Sequence, residues 1–366
     1  MNQMENVNCS IPCNLCGGTD VEEIGLLDRD SNYLRTVVCR NCGLAWSDPR
    51  PNEDEIRNYY SKDYRVEYKG TLTPKLKHVY RAGRVAEQRY KQVADLITPG
   101  ARVLDVGAGG GEFVFLMRKR GFDSSGIEPN EGYGRFAQEH LKLPITVGFA
   151  QQIEPADGKF DLVTMHHVLE HLDDPALVLG KLYESITDGG FIAIEVPNVE
   201  GTCFAPIHRF HQAHLYNFNS KTLEAIGEKA GFAVHRSEMS DDGGVIRAIF
   251  RKTGVKPEPV TAIPGNYEEI MKILRRHTPT SHYLTAQPYV RPFSRLRMNL
   301  AEKKGTKGCS DAFAVLEKLF GPALTRDSDG WNQALAMNSA TLGSMTSFIL
   351  ARCSAVSASK RRTSNA

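Results

Sequence analysis

Four cysteines, a glycine-rich turn and a run of histidines are the groups in this 366-residue chain whose types and spacing could do chemistry. Cys13 with Cys16, and Cys39 with Cys42, read CNLC and CRNC, and a glycine follows each pair. A Cys-x-x-Cys turn points both thiolates at one centre, and the next glycine lets backbone amides tilt toward the sulfurs. Two such turns supply the four soft donors of tetrahedral zinc, and TVVC before the second pair reads as the strand of a ribbon. A redox pair would not need a matching second pair. Four protein donors leave no open coordination position, so the expected metal is a structural Zn2+. Cys9, Cys203, Cys309 and Cys353 are scattered singles.

The histidines stand in HRFHQAHLYNF, with His208, His211 and His214 at every third position. Three readings are open for them: metal ligands, local packing groups, or contacts to a substrate with one ring acting as base. A neutral imidazole titrates in the range that makes it a proton acceptor near neutral pH. A second histidine pattern, His167-Val168-Leu169-Glu170-His171, matches the H-x-x-E-H text of some zinc proteases. It follows the strand text FDLVTM rather than standing within a helix, and that argues against such a metal site.

The elements that must position these groups begin at ARVLDVGAGGGEFVFLMRKRGFDSSGIEPN. Val103 to Val106 is a short apolar strand, Gly107 to Gly111 a glycine loop, Glu112 to Arg120 a helix, and Ser125 to Glu128 a strand ending in an acid. This is a βαβ unit whose first turn brings backbone close to a nucleotide-like ligand. Glycine is absent from the sixth position of the dinucleotide fingerprint, which Glu112 occupies. Asp105 at the first strand end suits a cationic ligand, and Glu128 is placed to accept from two ribose hydroxyls. Strands are expected at 102–106, 124–128, 145–147, 160–165, 190–196, 233–239 and 245–251, with helices between the first five and at about 220–230.

VLDVGAGGGEF, GIEPN, FDLVTMHHVLEHLDDP, LYESITDGGFIAIEVPN and FNSKTLEAIGEKAGF together resemble the class I S-adenosylmethionine-dependent methyltransferases, in order and spacing, over roughly Ala101 to Arg251. The resemblance implies an α/β, seven-stranded Rossmann-like fold with a closing antiparallel hairpin. It implies that Asp105, Gly107, Ala108 and Gly109 surround the methionine part of S-adenosyl-L-methionine and that Glu128, followed by Pro129, holds the ribose. Phe149-Ala150-Gln151 would border the adenine, with His166 and His167 at the carboxyl end of the fourth strand. Glu170 and His171 would hold the cofactor loop together. The whole chain is also similar to zinc-ribbon methyltransferases of sugar, polysaccharide and natural-product pathways. In their sugar carbon-methyltransferases His-Glu-His-Leu follows the fifth strand. Here Gln212, Ala213, His214 and Leu215 stand at those positions, so oxygen and nitrogen acceptors are implied as well as carbon. DDGGVIR, ending at Arg247, resembles their Gly-Gly-Ser-x-Arg.

The domain expectation is a zinc ribbon at 1–50, a linker with helices at 51–98, the S-adenosylmethionine-binding domain at 99–253, a mainly helical extension at 254–353 and a disordered tail at 354–366. A helix is expected at Arg81–Ile97, with others at Asn266–Arg276, Ser310–Phe320 and Trp331–Cys353. From Arg247 onward there are 19 Lys and Arg against 8 Asp and Glu, a basic surface that could also dock an anionic partner. No apolar run approaches the ~18 residues of a membrane span, and the polar start MNQMENVNCS has no secretory core, so a cytoplasmic protein is expected. The expected activity is methyl transfer to a sugar, nucleotide-sugar or related small metabolite, with His214 as base and His211 and His167 behind it. An RNA methyltransferase gripping phosphates with its basic third, and a non-catalytic scaffold, are the alternatives. A homodimer supported by the C-terminal part is compatible with all three.

Overall fold

The computed structural model describes residues 7–50, 73–154, 159–254 and 259–321. The expected short helix after Pro51, the helix at Trp331–Cys353 and the tail at 354–366 lie outside the described residues. Two sheets organise the described part. The first is built from β1 (Val7–Asn8), β2 (Asp20–Leu27), β3 (Tyr33–Cys39) and β4 (Ala45–Ser47), and it gains a fifth strand from far along the chain, β10 (Tyr216–Asn217). After α1 (Leu76–Val93) the second sheet begins with β5 (Arg102–Val106), α2 (Glu112–Lys119), β6 (Asp123–Glu128), α3 (Glu131–His140), β7 (Ile145–Val147) and β8 (Phe160–His166). It continues with α4 (Pro175–Ser185), β9 (Ile186–Pro197), α5 (Ser220–Lys229), β11 (Phe232–Met239) and β12 (Val245–Lys252). Among the described residues four helices follow: α6 (Asn266–Arg276), α7 (Pro279–Tyr283), α8 (Gln287–Thr306) and α9 (Ala312–Phe320).

The seven-stranded sheet has the order β11-β12-β9-β8-β5-β6-β7. Five strands run parallel, while β12 pairs antiparallel with both β9 and β11, the hairpin expected from sequence. Strands covered on both faces read as continuous apolar runs, as Val103, Leu104 and Val106 or Leu162, Val163 and Met165 do. Helix starts are set by local chemistry. Asn130 accepts from Tyr133 N at the start of α3, Asp174 from Leu177 N before Pro175 of α4, and Asn219 from Thr222 N at α5.

Several boundaries differ from expectation. α1 starts five residues earlier than Arg81 and stops at Val93, before the Pro99-Gly100 stop signal. β9 reaches back to Ile186, across an irregular register between Phe160 and Leu162 of β8. Among the described residues, the span between β7 and β8 carries a single 3-10 turn, Ala150–Gln152, instead of a helix. α8 was not foreseen: Pro288, Pro292 and Gly305 interrupt its pattern, and only Glu302 of its twenty residues is buried.

The two sheets are joined through β10, where Tyr216 faces Trp46 and Asn217 faces Ala45 in antiparallel register. Trp46, Tyr216 and Phe218 are fully buried and belong to the same apolar core as Cys39, Cys42 and the β8–β9 strands. The first cysteine pair is also tied to the second sheet's helices. Asn14 bonds Asp174 and the Ala176 amide at the start of α4, and Lys229 at the end of α5 donates to the carbonyls of Asn14 and Leu15. Trp46→Ala would leave a large cavity at this junction and is expected to lower stability by about 3–5 kcal/mol. Urea unfolding checks this, and a loss under about 1 kcal/mol would show the junction to be unimportant.

Candidate active site

The glycine loop leaves β5 with three backbones in the left-handed region, Gly107 at φ +80°, Gly109 at +58° and Gly111 at +85°. Space is as restrictive as φ: a Cβ on Gly107 would stand 2.3 Å from Val168 Cγ2, and one on Gly111 would stand 2.5 Å from Leu143 Cδ1. Gly107 N and Ala108 N both donate to Ile127 O, at 2.8 and 3.0 Å, which curls the loop over the end of β6. Glu128 is buried there, and its carboxylate accepts from Gly109 N at 2.8 Å and Asn130 N at 3.0 Å. The acid therefore braces the loop as well as presenting its remaining lone pairs. Asp105, also buried, accepts from Thr164 Oγ1 at 2.7 Å and lies 3.6 Å from His166 Nδ1. Pro129 continues from Glu128. Ala150 is buried in its turn, and Gln151 Nε2 is committed to Asp173 Oδ1 at 2.8 Å.

The predicted histidines fall into two groups. His166 faces Asp105 and lines a cavity of about 230 Å³ between α1 and the strands β9, β11 and β12. His214, His211 and His171 form a second cluster that does not line this cavity, with the His214 ring 5.0 Å from His171 and 5.1 Å from His211. His171 Nδ1 bonds Ala213 O at 2.7 Å, so the Leu169–His171 turn grips the histidine-rich loop while Val168 packs on Gly107. Burial holds His211 down at about 4, and burial together with His171, His211 and His167 holds His214 well below the ordinary imidazole range. Both are neutral proton acceptors at pH 7. His208 stands apart in the short turn Pro206–His208.

His167 connects the groups. Its backbone takes φ +56°, its Nδ1 lies 3.4 Å from Glu170 Oε1 and its Nε2 3.3 Å from Glu195 Oε1. Burial alone would lower its pKa, but the two carboxylates outweigh it and push it up to about 9, with 41% of the side-chain surface still open. Glu195 is the residue that sequence reasoning missed. It sits inside the apolar strand FIAIEVP, where a lone acid signals a buried ion pair. Arg89 Nη2 reaches it at 2.6 Å and Arg247 Nε at 2.9 Å. Burial opposes its ionisation, yet His167 and Arg89 hold its carboxyl well below the usual range. Glu195 and Arg247 line the cavity with His166, Arg236 and Glu238.

Two sets of side chains stand close enough to share a cation among the described residues. One is Cys13, Cys16, Cys39 and Cys42; the other is Glu170, His171 and His214, each with donor atoms within 4.8 Å of one another. In the first, Cys13 and Cys42 sulfurs lie 3.5 Å apart, as do those of Cys16 and Cys39. Gly17 and Gly43 take φ +74° and +79°, and Gly18 N points at Cys16 Sγ at 3.4 Å. Four thiols so arranged fit a tetrahedral soft-metal site.

The sheet order and the loop–acid geometry define the class I methyltransferase architecture. Residues 78–237, under half of the chain, match the methyltransferase-domain family. Among curated proteins, the chain is 33% identical over 105 residues to the ubiquinone biosynthesis O-methyltransferase of Pseudomonas aeruginosa (strain UCBPP-PA14), covering 27% of this chain and 45% of that protein. The Azorhizobium caulinodans protein of the same name is 30% identical over 111 residues, covering 29% and 44%. The chain thus spans under half the length of the curated relatives it matches. Of solved structures, magnesium protoporphyrin IX methyltransferase from Synechocystis PCC 6803 with bound SAH aligns at TM-score 0.42 and 16% identity, over 55% of this chain and 100% of that one. A SAM-dependent methyltransferase from Archaeoglobus fulgidus aligns at 0.41 and 21%, over 52% and 98%. No helix among the described residues is long and apolar enough to cross a membrane.

The His167 pairing makes a pH prediction. A histidine whose folded pKa is about 9 against an ordinary 6.5 stabilises fully below about pH 6.5, and that stability is lost as pH rises through 9. The melting-temperature advantage of the native chain over His167→Gln should therefore shrink between pH 6.5 and 9 and be nearly gone above it. An advantage that stays constant across this window would mean that the ion pairs do not form.

Proposed function

We propose that the chain transfers a methyl group from S-adenosylmethionine to a hydroxyl of a sugar, nucleotide-sugar or related small metabolite. The observation that carries this reading is the junction of two buried acids with the glycine loop. Asp105 and Glu128 are fixed by Thr164, Gly109 and Asn130, beside Gly107 and Gly111, whose backbones leave no room for side chains. Asp105 would face the cationic end of the cofactor and Glu128 its ribose, with Ala108, Pro129, Ala150 and Gln151 along its length. Bound there, the cofactor supplies a sulfonium methyl already activated toward nucleophiles. The protein's residues then have to orient the acceptor and receive its proton.

His214 is the base in this reading. It is neutral at pH 7, and the buried Glu170 carboxylate, within 4.8 Å of it, offsets the charge it gains with the proton. His211 stands next in line. His167 is charged between Glu170 and Glu195 and serves better to hold these two acids together. The four cysteines hold Zn2+ and act structurally, keeping β4 in place. Ser47 of that strand donates its amide to Leu215 O at 3.0 Å and its hydroxyl to His214 O at 3.2 Å.

A sugar-nucleotide pool incubated with enzyme and labelled cofactor should take up label, while RNA run in parallel should not. Label in RNA alone would overturn the acceptor class. His214→Ala is expected to lower turnover by ~10²-fold or more with cofactor affinity nearly unchanged. Equal turnover would remove His214 from the mechanism. The native chain should carry one zinc, released by a thiol-modifying reagent, and Cys39→Ser should lose both the zinc and turnover. Cofactor binding by titration calorimetry should fall much less, because the glycine loop is built on the other sheet.

A further inference from the structure

The helix that the sequence did not announce presents an apolar stripe to the outside. Tyr289, Phe293, Leu296 and Leu300 of α8 are 60%, 70%, 57% and 58% exposed. Their spacing of four, three and four residues gathers them within an arc of about 60° on one helix face. Leu284, 83% exposed, extends the patch before the helix begins. The stripe is held outward by its own anchors. Glu302 is buried against Arg81 at 2.6 Å, Gly305 packs so closely on Tyr80 that a Cβ would stand 2.0 Å from its ring, and Arg291 lies 3.5 Å from the centroid of Phe204. These contacts fix the helix at both ends and leave the four apolar side chains facing away.

The charge on this helix is one-sided. Helical spacing sets Arg297 and Lys304 along one flank of the stripe and Lys303 along the other, all exposed. The helix has one acid, Glu302, which is buried and already paired. We propose that α8 docks the protein flat on an anionic phospholipid surface. The apolar stripe enters the boundary of the acyl chains, and the flanking cations stay at the level of the lipid phosphates. Tyr289 to Leu300 covers only about 16 Å, too short to cross a bilayer and long enough to lie in its interface. Lysine and arginine suit this position because their aliphatic stems lie along apolar surface while their charges reach outward. A second copy of the chain fits less well. It would bring three exposed cations against three others with no exposed acid on the helix to separate them, whereas anionic lipid supplies the missing charge.

The experiment is flotation of the full chain with vesicles of phosphatidylcholine alone and of an equal mixture of phosphatidylcholine and phosphatidylglycerol. Binding to the mixed vesicles should be at least about tenfold stronger and should weaken as salt is raised. Phe293→Ser with Leu296→Ser, and separately Arg297→Glu with Lys303→Glu, should each abolish the difference. All four residues are exposed, and an unchanged melting temperature confirms that the variants fold. Equal binding to both vesicle types, or none, overturns the proposal. So does a concentration-dependent dimer, seen by light scattering, that the serine variant loses, because the stripe would then be a contact between copies. Methyl transfer can fail or succeed without altering this result, since α8 carries no residue assigned to the reaction.

Discussion

The short pairing of Trp46 and Ala45 with Tyr216 and Asn217 is the interaction on which the rest of the molecule's arrangement depends. It comprises two residue pairs, but it closes a loop of about 170 residues and lets an N-terminal sheet hold the segment after the fifth parallel strand. Without it the histidine-rich loop would lose its strand pairing to the N-terminal sheet. With it, the carbonyls of His214 and Leu215 are bonded to Ser47, and Phe210 O accepts from Arg29 N in the β2–β3 turn at 2.9 Å. The cysteine pairs matter through this strand. Cys39 ends β3 and Cys42 stands just before β4, whose Ser47 bonds the loop.

Charge is organised around two buried carboxylates that face each other across His167. Glu195 has cations on every side that bears on it, while Glu170 has only imidazoles close by. A buried carboxylate without full hydrogen bonding is costly unless a cation is near. His167 meets that need from a left-handed backbone that non-glycine residues rarely adopt. The strain and the raised pKa have the same origin, since the ring must stand between the two acids. Neutral rings line the other side, because there burial meets no such acid pair.

Much of the fold was legible in the residues. The apolar runs with their glycine punctuation placed all seven strands of the main sheet, and 102–106 and 145–147 coincide with the observed bounds. The cysteine knuckles and the loop from Gly107 to Gly111 were legible for the same reason: each is a local backbone problem solved by neighbours a few residues away. Expected helices failed where the local pattern was weak. Among the described residues the span before β8 carries one turn, and α8 formed despite its prolines because Glu302 and Gly305 found partners on α1.

What the sequence by itself determined is therefore the set of short-range devices: two thiol turns, a glycine loop ending in acids, and the alternation of strand and helix. Tertiary structure alone decided which distant groups meet. A two-residue strand such as β10 has no periodicity to read. Arg89 and Glu195 are 106 residues apart and become partners only once α1 lies across the sheet. His166 and His167, adjacent in the chain, were sent to opposite tasks by the pleat and by one left-handed residue. Local order follows from steric and hydrogen-bonding rules within a few residues. Long-range pairing depends on how the whole chain buries its apolar surface, and no short stretch carries that information.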